Sequence, residues 1–295
     1  MSVLCRLLLI SSVMTSFSAL SEPYPVDYWA RRPAISSVAL SPDGLRLGMM
    51  KIPGKAENPI IEIYRTDALD SEPFRINASP MEIISFNWVD NGSLVFTARQ
   101  QVRDKIDGFN QGIYEYRLAL VDVDAKRLKS FDERDPSVVS VLPGKPGKIL
   151  ISFSEGGNDG IGAKVQAAFR PRAYWEFDLE RGTKKLLVRG KISLGNIDFD
   201  EDGNAILARG FDIDTGDFIW FWRKPGETDW TEFYRLNEDS FDTFRVFGPD
   251  PDLPGHFLVE ANRGADTTGL WSFNAATKEF AEAIYQRTDV DICGV

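Results

Sequence analysis

The strongest constraint on this chain is a repeat. About every fifty residues it returns to an apolar strand, an acidic Gly turn, a second apolar strand and a further hairpin. The first copy is AISSVALSPDGLRLGMMK at residues 34–51, followed by IIEIYRTDALDSEPFRI at 60–76. FNWVDNGSLVFTA (86–98), IDFDEDGNAILARGF (197–211) and FGPDPDLPGHFLVEA (247–261) repeat the theme. Alternating apolar residues read as strands, and Asp-Gly supplies the positive φ angles of tight hairpin turns. The landmark turns at Asp43, Asp90, Pro146, Asp202 and Pro254 are spaced by the length of a four-stranded propeller blade. Such a unit cannot bury its apolar faces alone and must stack on its neighbours. The expectation is an all-β chain, a β-propeller of four-stranded antiparallel blades. About five blades are expected, at residues 34–77, 83–131, 138–188, 192–236 and 244–285, with the start of a further blade at 288–295. Seven or eight blades would need more chain, so the ring is expected to be incomplete. An incomplete ring exposes a blade face and strand edges, which points to self-association of the isolated chain.

The composition fits a packed globular chain: 43% apolar, with 20 Phe and 7 Trp among 295 residues. A formal net charge of −10 repels a phosphate backbone, so nucleic acid is not an expected partner. Arg6, the apolar run from Leu7 to Ile10 and small residues at Ala19 and Ser21 read as an export signal over residues 1–21. Residues 22–295 then form the propeller domain, periplasmic or secreted, with no membrane association once the signal is cleaved. An uncleaved N-terminal anchor is the alternative, although the apolar stretch is short for a bilayer span. Cleavage removes Cys5 and leaves Cys293 alone, so no disulfide holds the fold. VDYWARR at 26–32 reads as a short helical turn that stops at Pro33.

The residues that catalysis needs are largely missing. There is no G-x-S-x-G nucleophile elbow, and the only histidine, His256, lies beside a turn without a local Ser or acid in the triad arrangement. Asp198, Asp200, Asp202 and Gly203 imitate the start of a calcium loop, but Arg209 stands where a bidentate Glu is required. No metal and no cofactor is expected. EGGNDGIGAK (155–164) lacks the Lys-Ser/Thr of a phosphate loop, and GFNQG (108–112) reads as an insertion. In FIWFW, alternation puts Phe218, Trp220 and Trp222 on one strand face and Ile219 and Phe221 on the other; with Trp230 they read as packing between blades rather than as a groove. Arg263 and Asp266, in the loop NRGADTTGL, either pair across a turn or project as substrate-binding groups.

YWARRP (28–33), ISSVALSPDG and, above all, FRVFGPDPDLPGHFLVEANRGADTTGLWSFNAATKEF resemble the N-terminal propeller of the prolyl oligopeptidase family, in its acylaminoacyl-peptidase and dipeptidyl-peptidase-like branch. The resemblance covers nearly the whole chain after residue 21. It implies a serine peptidase whose α/β-hydrolase domain, downstream or on a separate chain, carries the catalytic Ser, Asp and His. None of those residues can be carried over here. It implies a propeller that gates entry of peptide substrates and has no activity of its own. The other reading is a self-contained periplasmic propeller that binds a protein or peptide through its loops.

Overall fold

The computed structural model describes residues 26–29, 32–54, 57–103, 112–133, 135–154, 172–191, 193–224 and 226–292. The expected signal at 1–21, both cysteines, the Gly-rich stretch at 155–164 and most of GFNQG lie outside the described residues. The chain divides into two units, residues 1–34 and residues 35–295. The first contains one helical turn, α1 (Val26–Trp29), in which the Tyr28 and Trp29 rings meet edge to face at 5.4 Å. Among the described residues no helix is long and apolar enough to cross a membrane.

The second unit is a β-propeller of five four-stranded antiparallel sheets, each built from four consecutive strands. Blade 1 is β1 (Ile35–Leu40), β2 (Arg46–Lys51), β3 (Ile60–Arg65) and β4 (Phe74–Ile76). Blade 2 is β5 (Glu82–Trp88), β6 (Ser93–Arg103), β7 (Ile113–Asp122) and β8 (Arg127–Phe131). Blade 3 holds β9 (Ser137–Ser140), β10 (Lys148–Ser154), β11 (Arg172–Asp178) and β12 (Thr183–Arg189). Blade 4 holds β13 (Asn196–Phe199), β14 (Ala205–Asp212), β15 (Asp217–Trp222) and β16 (Thr231–Asn237). Blade 5 is β17 (Phe244–Pro249), β18 (His256–Ala261), β19 (Gly269–Asn274) and β20 (Glu279–Gln286). The described part of the terminal segment, residues 288–292, contains no strand. Up-and-down order puts the first and third turns of every blade at one end, the turn end. The second loops and the blade-to-blade connections lie at the other, the loop end.

Local chemistry sets the turns. In the first, Ser41 Oγ donates to Asp43 Oδ1 at 2.6 Å, and the same oxygen accepts the Leu45 N–H at 3.1 Å. Gly44 follows at φ +72°, where a side chain would meet no neighbour, so its need for glycine is conformational. Asp200 repeats the device, accepting the backbone N–H groups of Asp202 and Asn204 at 3.0 and 2.7 Å.

Because successive side chains in a strand alternate sides, every blade offers two faces, and four apolar cores fill the spaces between the five blades. Met50, Ile61 and Ile63 of blade 1 meet Phe86, Trp88 and Phe96 of blade 2. Val95 and Leu118 meet Ile149, Ile151 and Phe177 between blades 2 and 3. Leu150 and Tyr174 meet Ile197 and Ala208 between blades 3 and 4, with Phe221 and Trp230 at the margin. Trp220, Trp222 and Phe233 meet Phe244, Phe257 and Phe273 between blades 4 and 5. The FIWFW alternation thus divides its aromatic residues between two cores. A closed ring of five blades would have a fifth core between blades 5 and 1. Among the described residues there is none, and no strand of blade 5 pairs with blade 1. The ring is open.

One buried charge is built into these spaces. Glu176, on the blade 4 side of β11, accepts from Lys145 Nζ at 2.8 Å and Lys148 Nζ at 2.6 Å. These bonds outweigh burial and bring its carboxyl pKa down from 4.5 to about 2. A depressed carboxylate stabilises the fold fully above its unfolded value, and that contribution is lost as pH falls through the folded one.

Truncating Phe273, fully buried between blades 4 and 5, is expected to cost about 3–5 kcal/mol in urea unfolding. Glu176→Gln is expected to cost about 1–2 kcal/mol at neutral pH, because both lysines are more than a third exposed. Its deficit relative to the native chain should shrink as pH falls from 4.5 towards 2; a deficit independent of pH would show that the carboxylate does not act through its charge.

Candidate functional site

The sole histidine does sit near a serine and an aspartate, all on blade 5. Ser272 Oγ donates to Asp250 Oδ2 at 2.5 Å, and Asp250 N–H donates to the His256 carbonyl at 2.9 Å. The order is wrong for a nucleophile. In a triad the imidazole stands between the hydroxyl and the acid, whereas here the acid accepts the serine's hydrogen bond directly and Ser272 is buried at 3% exposure. The His256 Nδ1 lies 3.5 Å from its neighbour Pro254's carbonyl. The Ser272 bond, assisted by backbone N–H groups, keeps the Asp250 carboxyl below its usual range. The cluster fastens the first turn of blade 5 to its third strand.

The carboxylates of the calcium-like turn are similarly engaged: Asp200 also accepts from Asn204 Nδ2 at 2.9 Å. Among the described residues no three or more His, Cys, Asp or Glu side chains gather as a metal site. A cavity of about 350 Å³ opens at the turn end beside blades 1 and 2, between Leu45, Tyr64, Phe74 and Val123. Its charges already have partners: Arg46 with Asp124 at 2.7 Å, Arg65 with Asp67 at 2.7 Å, and Glu72 with Arg75 at 3.1 Å.

The loop end of blades 4 and 5 is differently built, and it contains both residues singled out from the sequence. Asn262, buried just after β18, ties two loops together. Its Oδ1 accepts the Thr243 N–H at 2.9 Å, while Nδ2 donates to the carbonyls of Phe241 and Ala265, each at 3.2 Å. Asp242 completes the tie by accepting the Gly264 N–H at 3.0 Å. These bonds fix the backbone on both sides of Phe241, whose ring is 99% exposed. A lone Phe in the polar stretch EDSFD gives no periodic signal, so sequence reasoning passed over it.

Arg263, at φ +52°, follows Asn262. Its guanidinium lies 4.4 Å from the Trp271 ring centroid and 4.6 Å from that of Phe280. Asp266 is exposed on the same loop, but no ion pair joins the two among the described residues: the arginine takes the aromatic rings instead. Tyr234 stacks on Phe244 at 3.6 Å in the same aromatic core. Burial pushes its hydroxyl pKa up; the charge of Asp242 adds to the rise and that of Arg263 opposes it. The terminal segment is fastened to this loop as well, through Thr267 Oγ1 to the Arg287 carbonyl at 2.6 Å and Thr268 N–H to Asp291 Oδ1 at 2.8 Å. The result is a fixed loop surface that presents an aromatic ring, a stacked cation and carboxylates to solvent. Exposed aromatic and arginine side chains of this kind are those that carry binding energy at recognition surfaces.

No family model matches the sequence, and no curated protein matches it. Solved structures do match the fold. The acylaminoacyl peptidase of Pyrococcus horikoshii aligns over 85% of this chain and 38% of its own, at 13% identity and a TM-score of 0.52. The dipeptidyl peptidase 4 of Porphyromonas gingivalis aligns over 87% of this chain and 39% of its own, at 10% identity and a TM-score of 0.54. The β-propeller domain of the Trilobed protease from Pyrococcus furiosus, described as having an open velcro topology, aligns over 88% of this chain and 73% of its own, at 14% identity and a TM-score of 0.51. This chain therefore has the fold of the propeller part of such peptidases and spans less than two fifths of the length of the two whole enzymes.

Replacing Asn262 by Ala is expected to cost about 1–3 kcal/mol, because buried backbone groups lose their partners. It should also speed hydrogen exchange at residues 241–243 and 264–265. Asp266→Ala should change stability by no more than about 0.5 kcal/mol. Equal effects of the two substitutions in a thermal melt would contradict this account of the loop.

Proposed function

We propose that this chain is the substrate-gating propeller of an exported serine peptidase of the prolyl oligopeptidase type. The observation that carries this reading is the fold likeness: nearly all of this chain corresponds to the propeller part of such enzymes, and less than two fifths of their length is represented. The catalytic Ser, Asp and His would come from an α/β-hydrolase domain, encoded downstream or on a separate chain. The propeller would admit short peptides to that domain and hold back folded proteins. The loop end of blades 4 and 5, with Phe241, Arg263 and Asp266, is the surface best equipped to meet a peptide. Export to the periplasm or out of the cell is part of the proposal and is supported by the pattern of residues 1–21.

A self-contained peptide- or protein-binding propeller is the second reading. What favours it is the rigid presentation of Phe241, which costs solvent exposure of a large apolar ring without any return inside the fold.

The purified chain is expected to resist labelling by a fluorophosphonate probe and to leave aminoacyl chromogenic substrates uncut. Joined to an α/β-hydrolase domain with a G-x-S-x-G elbow, it should confine cleavage to short peptides. Labelling of the chain alone, or a joined enzyme that digests folded proteins as readily as short peptides, would sink the gating proposal.

A further inference from the structure

The cavity at the turn end beside blades 1 and 2 carries more negative charge than its ion pairs consume. Four carboxylates line it, Asp43, Asp67, Glu72 and Asp124, against the guanidinium groups of Arg46 and Arg65. Arg75, outside the lining, bonds to Glu72 at 3.1 Å and to Glu62 at 3.0 Å. Even with Arg75 assigned wholly to Glu72, one negative charge is left over. That charge is Asp43. Asp67 commits both oxygens to Arg65, at 2.9 and 2.7 Å, while Asp124 and Glu72 each pair with a guanidinium. Asp43 alone among the four is in no ion pair. Its Oδ1 takes the Ser41 hydroxyl and the Leu45 N–H, and among the described residues nothing bonds to its Oδ2. The serine bond, helped by the backbone one, holds its carboxyl below the usual range, so it is ionised at neutral pH.

The remaining walls are apolar or aromatic. Leu45, 64% exposed, Val123 and the rings of Tyr64 and Phe74 line the same space, and the Tyr64 hydroxyl is already donated to Glu62 at 2.8 Å. These walls are fixed by bonds within the fold. Asp43 N–H donates to Asn91 Oδ1 at 3.1 Å and Arg46 Nη2 to Asp124 Oδ1 at 2.7 Å, so blade 1 is bonded to blade 2 at two points beside the cavity. Thr66 ties the third turn of blade 1 to the first, its N–H donating to the Leu45 carbonyl and its Oγ1 to the Gly44 carbonyl, each at 3.0 Å. A preformed, partly apolar recess with one unmatched charge is the usual form of a small-molecule site.

We infer that this cavity binds a small organic cation, an ammonium or guanidinium group on an apolar body. The head group meets Asp43 Oδ2, and the body lies against Leu45, Tyr64, Phe74 and Val123. An anion is disfavoured, because both lining guanidiniums are already bonded to carboxylates and the surplus charge repels it. A volume of about 350 Å³ is at the lower end for ligand sites and suits an arylalkylamine or one basic side chain. Free amines and the Lys or Arg side chains of polypeptides share this chemistry, and the test separates the two sources. The site lies at the turn end and is independent of the gating proposal, which concerns the loop end.

The test titrates the whole chain with 2-phenylethylammonium and follows the amide shifts of Leu45, Tyr64, Ser71 and Val123, which line the cavity. A ligand of this size at an exposed carboxylate is expected to bind with a Kd of about 1 mM. The neutral isostere 2-phenylethanol should bind about threefold or more weakly. Asp43→Asn should lose affinity for the amine by a similar factor and keep that for the alcohol, since asparagine retains the Oδ1 acceptor that closes the turn. If Asp43→Asn departs from the native circular dichroism, Leu45→Lys replaces it: at an exposed position it adds a tethered ammonium to the wall and should weaken the amine likewise. Asp202→Asn, an exposed turn carboxylate of blade 4, should bind the amine as the native chain does, which separates the site from diffuse attraction to an acidic protein. A blocked pentapeptide with one central Lys, titrated alongside, identifies a polypeptide side chain as the source if it moves the same amides at lower concentration than the amine, and a free amine if it does not. Absence of shifts at these four amides about tenfold above the expected Kd overturns the inference. So does an alcohol that binds as tightly as the amine, or an Asp202→Asn chain that loses as much affinity as Asp43→Asn.

Discussion

Everything in this molecule depends on covering sheet faces. A four-stranded blade built of alternating residues is apolar on both sides, and neither side is stable in water by itself. The chain meets that requirement by placing each blade against the next, with Phe, Trp, Ile and Leu side chains from two sheets filling each space. Burial of a large apolar side chain is worth about 1.5–3 kcal/mol, so the four cores outweigh any single turn, cap or surface ion pair. Glu176 enters the interior bonded to two lysines, and Ser272 bonded to Asp250.

Stacking also separates support from function. Inner positions are spent on packing, leaving the loops to carry chemistry. At the turn end, aspartates close tight hairpins and arginines pair with nearby carboxylates. At the loop end of blades 4 and 5, Asn262 and Asp242 use their polar atoms to hold two loops together. Arg263 is held by Trp271 and Phe280, rings supplied by blade 5's own later strands. A surface prepared in this way has little conformational entropy left to lose on binding.

The repeat made the blades legible from the sequence, because a hairpin depends on residues adjacent in the chain: SPDG, VDNG and DEDG announce their turns, and FIWFW announces its two faces. Arg263 shows where such reading stops. Its aromatic partners stand eight and seventeen residues along the chain, on different strands. Their approach depends on register and twist rather than on pattern, whereas the sequence offers only a pair with Asp266 across the turn or projection as a binding group. Phe241 was invisible for a related reason: exposure is a property of the assembled surface. The Ser272–Asp250 bond also needs two strands brought side by side before it exists.

If inter-blade burial is the governing interaction, protection from solvent should follow the number of covered faces. Among the described residues, blades 2, 3 and 4 are covered on both sides, and blades 1 and 5 on one. Native-state hydrogen exchange read strand by strand tests this most directly. The central strands β6, β7, β10, β11, β14 and β15 should exchange slowest, with β2, β3, β18 and β19 faster when the protein is dilute. Equal protection of all five blades under dilute conditions would contradict the open arrangement and require a fifth core between blades 5 and 1.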